Sequence, residues 1–108
     1  MSTQRITVYK GRDNTESIEF LDGGTVQNLS DITRVKLILN ASTTIDSDDS
    51  PSAFDWTSDD TQLDLTLGGL ALTVGSYEDT EIVMYDAVNT SGVHWGTIDL
   101  IVKANYES

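Results

Sequence analysis

The chain lacks cysteine altogether and contains a single histidine, His94. Without cysteine it has no disulfide bond, no thiolate nucleophile and no cysteine-type zinc site. Any Ser-His-Asp triad or histidine metal site must be built on His94 or be absent. A strand histidine beside an aromatic residue, here Trp95, is usually a packing or hydrogen-bonding residue. The sequence therefore predicts no catalytic residue, no metal site and no cofactor.

Basic residues are few, because six lysines and arginines stand against eighteen aspartates and glutamates and leave a net charge of −12. Such a surface repels nucleic-acid phosphates and anionic lipid headgroups. No apolar stretch approaches the ~18 residues of a membrane span, and the N-terminus is polar. We therefore expect no direct nucleic-acid partner, no membrane partner and no signal peptide.

The 108 residues suit one domain, because single cores typically organise about 100–150 residues. The hydrophobic period is nearly always two, which is typical of half-buried strands. Alternating runs predict strands at about 4–10, 17–20, 32–40, 53–56, 62–67, 77–88 and 94–103. The polar stretch between 41 and 60 is otherwise interpreted as loop.

Seven short strands, separated by turn signals and without a helical pattern, favour an all-β domain. We predict a single domain, 1–108, with an immunoglobulin-like antiparallel β-sandwich of about seven strands. An edge-closed barrel is the alternative architecture, since alternation alone does not distinguish a barrel from a sandwich.

Acidic clusters are the second feature of the sequence. The segment Asp46-Ser-Asp48-Asp49 resembles the start of a calcium-binding loop. The match then fails, because an EF-hand needs glycine where Pro51 stands and glutamate where Thr57 stands. We expect a solvated acidic loop. Other close carboxylates carry little weight in a chain with eighteen of them; they are Asp59, Asp60, Glu78, Asp79 and Glu81.

Both faces of the last predicted strand carry apolar groups. Ile98, Leu100 and Val102 form the more continuous face, which we assign to the core. Trp95 and Ile101 are then expected to point outward. Exposed rings of this kind are enriched where subunits meet, so the sequence predicts that Trp95 and Ile101 lie at a protein–protein interface.

Several turn motifs resemble those of a known family. The opening Ile6-Thr-Val-Tyr-Lys-Gly11-Arg-Asp-Asn14 precedes Ile18-Glu-Phe20, Asp22-Gly-Gly and Asn28-Leu-Ser-Asp-Ile-Thr33. Further along stands Leu67-Gly-Gly-Leu-Ala-Leu-Thr-Val-Gly75-Ser-Tyr77, in which Val74 replaces a common proline. This order is similar to that of small tailed-phage β-sandwich proteins, in particular the N-terminal domain family of phage upper-baseplate proteins. These motifs mark turns of the fold and identify no chemical site.

The resemblance implies a non-enzymatic structural protein of a bacteriophage virion, assembled in the bacterial host cytoplasm. Unlike the baseplate family, the sequence shows no fibre or attachment domain after the sandwich, which favours capsid decoration (a cement subunit). A tail, collar or baseplate component is the alternative. The implied partners are other virion proteins, and the chain is expected to be multicopy or homo-oligomeric.

A different class of function rests on charge alone. Small acidic proteins can occupy the phosphate-binding grooves of enzymes, and a charge of −12 is compatible with such a nucleic-acid mimic. The acids here are spread through loops and outward strand positions without two regular rows, so we place this hypothesis behind the structural one.

Overall fold

The computed structural model of the chain describes residues 4–12, 14–22, 24–57, 61–70 and 72–104. These residues form ten strands, one 3-10 helix (Pro51–Ala53) and no α-helix, so none of their helices could cross a membrane. The strands are β1 (Gln4–Tyr9), β2 (Glu16–Ile18), β3 (Leu21–Asp22), β4 (Thr25–Val26), β5 (Arg34–Asn40), β6 (Thr43–Asp46), β7 (Phe54–Asp55), β8 (Leu63–Leu65), β9 (Gly75–Tyr85) and β10 (Val93–Lys103).

The strands form two main sheets and one small hairpin. The larger sheet has the order β1-β10-β9-β5-β6, the smaller has the order β2-β8-β7, and β3 pairs with β4. In immunoglobulin-like sandwiches a B-E-D sheet packs on a G-F-C sheet that a C′ strand extends. Here β2, β8 and β7 take the first three positions, and β10, β9, β5 and β6 take the other four. The predicted all-β, immunoglobulin-like sandwich is confirmed.

One strand pair departs from the predicted antiparallel arrangement. β1 runs parallel to β10, with a register from Gln4 opposite Ile98 to Tyr9 opposite Lys103. All other described strand pairs are antiparallel. Alternation in a sequence reveals which face of a strand is buried but not the direction of its neighbour, so this pair could not be foreseen.

The core lies between the two sheets and is built from the alternating apolar positions. Val35, Leu37 and Leu100 are wholly buried, and Ile82 and Met84 are 1% exposed. Each such side chain contributes roughly 1.5–3 kcal/mol relative to exposure. The predicted inward face of β10 is therefore confirmed, and the alternating apolar residues of β5 and β9 also face the core.

Three short strands, β3, β4 and β6, were not predicted. β6 lies in the stretch interpreted as loop, because its sequence Thr-Thr-Ile-Asp carries one apolar residue and its pairing with β5 is what defines it. β3 and β4 flank the glycines that we interpreted as a turn. β9 ends at Tyr85 and not at 88, because the side chain of Asp86 accepts hydrogen bonds from the N–H groups of Val88 and Asn89.

A glycine turn joins the two halves of the chain. The N–H of Gly11, just after β1, donates to the carbonyl oxygen of Gly68 over 2.7 Å. A methyl group on Gly68 would lie 1.9 Å from the carbonyl oxygen of Arg12 and 2.6 Å from that of Tyr9. Only glycine permits this backbone contact.

A tyrosine fixes the entry into β9. The hydroxyl of Tyr77 donates to the carbonyl oxygen of Thr73 over 2.6 Å. In immunoglobulin-like domains a tyrosine near the start of strand F bonds in this way to the backbone a few residues upstream. Tyr77 occupies the same position in strand order, which supports the assignment of β9 as strand F.

Candidate functional site

Trp95 does not point away from the core as the sequence predicted. The β9–β10 register passes from Val83 opposite His94 to Ile82 opposite Gly96, so Trp95 is an extra, unpaired residue. A bulge of this kind redirects its side chain. The indole packs edge-on against the buried ring of Phe20, with centroids 5.3 Å apart. Trp95 is only partly buried, and its role at an interface stays a prediction.

Ile101 lies on the outer face of the larger sheet, as predicted. It stands between Thr7 of β1 and Ser76 of β9 in the strand register, and it is half-buried. Trp95 packs against the core instead, so the two residues do not form one outward patch. The interface role of Ile101 also stays a prediction.

A cluster of charged and aromatic side chains covers one end of that outer face. The Arg34 guanidinium binds both carboxylate oxygens of Asp46, and its Nε lies 2.9 Å from Oδ1 and 3.1 Å from Oδ2. The same guanidinium lies over the ring of Tyr85, 4.7 Å from the centroid, and the Lys36 ammonium lies 5.7 Å from it. Such cation–π contacts add to the ion pair and fix the guanidinium plane.

The ion pair changes the acidity of both partners. The hydrogen bonds from Arg34 lower the pKa of Asp46 below its ordinary value of 3.8, although partial burial opposes this. The pKa of Arg34 is raised, chiefly by the same hydrogen bonds. Both groups therefore remain charged at neutral pH. The ion pair between them links β5 to β6 and is a structural contact within the sheet.

Two carboxylates of the Asp46–Asp49 loop lie around Arg34, since Asp48 Oδ2 is 3.3 Å from the Arg34 Nε that also binds Asp46. Asp46 faces Arg34, and its Oδ1 also accepts a hydrogen bond from the N–H of Asp48 at 3.0 Å. Asp48 and Asp49 are exposed. The residues that the structure describes contain no group of three or more His, Asp or Glu side chains that could hold a metal ion. Asp46 thus has the guanidinium as its cationic partner.

His94 forms a pair with Glu81 on the outer face. Its Nδ1 lies 2.9 Å from Glu81 Oε2, and both side chains are substantially exposed. This contact holds the ring against β9 and agrees with the hydrogen-bonding role predicted for it. Asp59 and Asp60 lie outside the described residues, so their spacing is not described. Glu78 and Asp79 occupy a second bulge, where Asp79 has φ 57° and its N–H donates to Asp99 Oδ1.

Comparison with known proteins adds no relative to this description. No family model matches the chain, and neither a curated protein nor a solved structure matches it.

Proposed function

We propose that this chain is a non-enzymatic structural subunit of a tailed-phage virion, with capsid decoration as its first location and the tail, collar or baseplate as the alternative. The proposal is carried by one observation. The motifs that resemble the phage β-sandwich family occupy the turns on which this sandwich depends. The N–H of Gly11, in the opening motif, donates a hydrogen bond to the carbonyl oxygen of Gly68, in the later motif. The hydroxyl of Tyr77 donates to the carbonyl oxygen of Thr73 at the turn that leads into β9.

The distribution of polar groups is compatible with a protein that acts through surface contacts with other proteins. Among the described residues, no buried side-chain nitrogen or oxygen lacks a hydrogen-bond partner. The pairs Arg34–Asp46 and His94–Glu81 lie on an exposed sheet face, on which Ile38 and Ile101 are half-buried. Sheet faces that mix half-buried apolar residues with charged residues suit contacts between proteins.

The test is mass spectrometry of purified particles from the phage or prophage that encodes the chain. A decoration subunit should be present in hundreds of copies per particle, and a tail component in far fewer. A capsid protein of known copy number in the same particles calibrates the count. Absence of the chain from intact particles would contradict the proposal and return attention to the acidic-mimic hypothesis.

A further inference from the structure

The larger sheet ends in two strands that pair on one side only. Among the described residues, β1 pairs only with β10, and β6 pairs only with β5. Each edge strand therefore presents unpaired backbone N–H and C=O groups on its outer side. The two edges lie at opposite ends of one sheet, and they differ sharply in charge.

The β1 edge is basic in an otherwise acidic chain. Residues 4–12 hold Arg5, Lys10 and Arg12 and no carboxylate. Lys103 lies beside them, opposite Tyr9 in the β1–β10 register, and Asp99, opposite Arg5, is the one carboxylate among the β10 partners of β1. Four of the six basic residues of the chain are therefore on or next to this edge. The side chains of Arg5, Lys10 and Lys103 form no ion pair with a described residue, although carboxylates outnumber basic groups three to one.

The β6 edge is acidic. Residues 43–50, which begin with β6, contain three carboxylates and no lysine or arginine; the three are Asp46, Asp48 and Asp49. Asp46 is held by Arg34. Asp48 Oδ2 also lies 3.3 Å from Arg34 Nε, but the side chain of Asp48 is 65% exposed, and Asp49 is exposed as well. The Asp48 and Asp49 carboxylates are thus accessible to a partner.

These two edges complement each other, whereas neither complements itself. Two β1 edges brought together would oppose their cations, and two β6 edges would oppose their carboxylates. From this we infer that the basic β1 edge of one molecule pairs with the acidic β6 edge of a second copy and extends the five-stranded sheet from molecule to molecule. The four residues of β6 overlap β1 over ~13 Å of strand.

A contact of this kind is head-to-tail. Each molecule uses different surfaces toward its two neighbours, so association continues into a ring or a row and does not stop at a two-fold dimer. The inference concerns the purified chain and is independent of whether the protein belongs to a virion.

Charge variants at the two edges provide the test. Variant one carries Arg5→Glu and Lys10→Glu and keeps an intact β6 edge. Variant two carries Asp48→Lys and Asp49→Lys and keeps an intact β1 edge. In sedimentation velocity at low salt we expect the wild-type chain to associate beyond the dimer with rising concentration, and to dissociate when salt screens the charges. Each variant alone should stay monomeric.

The equimolar mixture distinguishes this contact from all others. The intact edges of the two variants complement each other, and so do the two charge-reversed edges. The mixture should therefore regain the head-to-tail association that each variant alone has lost. Upon mixing, amide hydrogen exchange should slow in β1 and in β6 of both variants. Circular dichroism confirms that each variant is folded. Glu19→Lys with Glu78→Lys, which changes net charge as variant two does but away from both edges, should associate like the wild type.

Three results would overturn the inference. A wild-type chain that stays monomeric up to its solubility limit would mean that the charges protect the edges from pairing. Association that both variants retain would place the contact elsewhere. A two-fold dimer through identical edges would contradict the head-to-tail arrangement.

Discussion

The ring of Phe20 meets the indole of Trp95 edge-on, with an interplanar angle of 84°. Phe20 is 4% exposed and belongs to the core, whereas Trp95 sits on the bulge of β10. The contact ties the segment between β2 and β3 to the last strand. The bulge explains why Trp95 lies on the core side of a strand whose alternation placed it outward.

This pair should be energetically coupled. A double-mutant cycle with Phe20→Leu and Trp95→Leu should give a coupling free energy of about 0.5–1.5 kcal/mol in chemical denaturation, as edge-to-face aromatic pairs do. The matched cycle of Phe20→Leu with Ile101→Ala should give no coupling, since Ile101 lies on the outer face. Additive effects in the first cycle would contradict the described packing.

Gly68 should tolerate no side chain. The β-carbon of Gly68→Ala would overlap the backbone carbonyl of Arg12 at 1.9 Å, so the turn after β1 must move. We expect a loss of about 3 kcal/mol or more in the free energy of unfolding, which is the range of severe packing defects. Gly69→Ala is the control, because a β-carbon there meets no atom within 4 Å. Equal effects of the two substitutions would show that the turn is not constrained.

The hydrogen bond from the Tyr77 hydroxyl to Thr73 should make a smaller contribution to stability than the Gly68 turn. Tyr77→Phe removes only the hydroxyl that bonds to Thr73, and it should cost about 0.5–1.5 kcal/mol in the free energy of unfolding. Tyr9→Phe alters a tyrosine that is 41% exposed, and it should change stability by less than about 0.5 kcal/mol. If the two variants unfolded at the same denaturant concentration, the Tyr77–Thr73 hydrogen bond would contribute nothing to the free energy of unfolding.

The Arg34–Asp46 pair predicts a particular response to acid. The pKa of Asp46 is lower in the folded chain than its ordinary value of 3.8, so the pair stabilises the fold above that pH. The stabilisation is lost as the pH falls through the lower, folded-state pKa. The free energy of unfolding of Asp46→Asn should therefore fall less steeply below pH about 4 than that of the wild type.

Two comparisons sharpen this measurement. Asp49→Asn alters an exposed carboxylate of the same loop and leaves the contacts of Arg34 with Asp46 and Asp48 in place, so its acid profile should follow the wild type. The pKa of Asp86 is also lowered, chiefly by the N–H of Asn89, so Asp46→Asn should keep part of the acid sensitivity. Parallel profiles for Asp46→Asn and the wild type would show that the pair does not stabilise the fold.

Alternation predicted the long strands well because each has one face on the core. In β5 the buried Val35 and Leu37 alternate with Arg34 and Lys36, so both the strand and its inward face were predictable. The short β6 was missed, since a strand of four residues with one buried isoleucine is defined by its neighbour and not by its own pattern.

The candidate site was less predictable than the fold. The prediction for Trp95 failed because a bulge shifts the alternation by one residue; its signal in the sequence is Gly96, a glycine inside the strand that has φ 142° in the structure. The Arg34–Asp46 pair joins two strands across a turn, and the sequence offered only a cluster of acids there. The difference in charge between the β1 and β6 edges could not be predicted either, because it depends on which strands lie at the edges of the sheet.

A three-dimensional reconstruction of the intact virion tests the proposed function most directly. The proposal predicts density for this ten-stranded sandwich at repeated positions on the particle, on the capsid for a decoration subunit or on the tail for the alternative. Complete density for capsid and tail that leaves no place for this chain would contradict it.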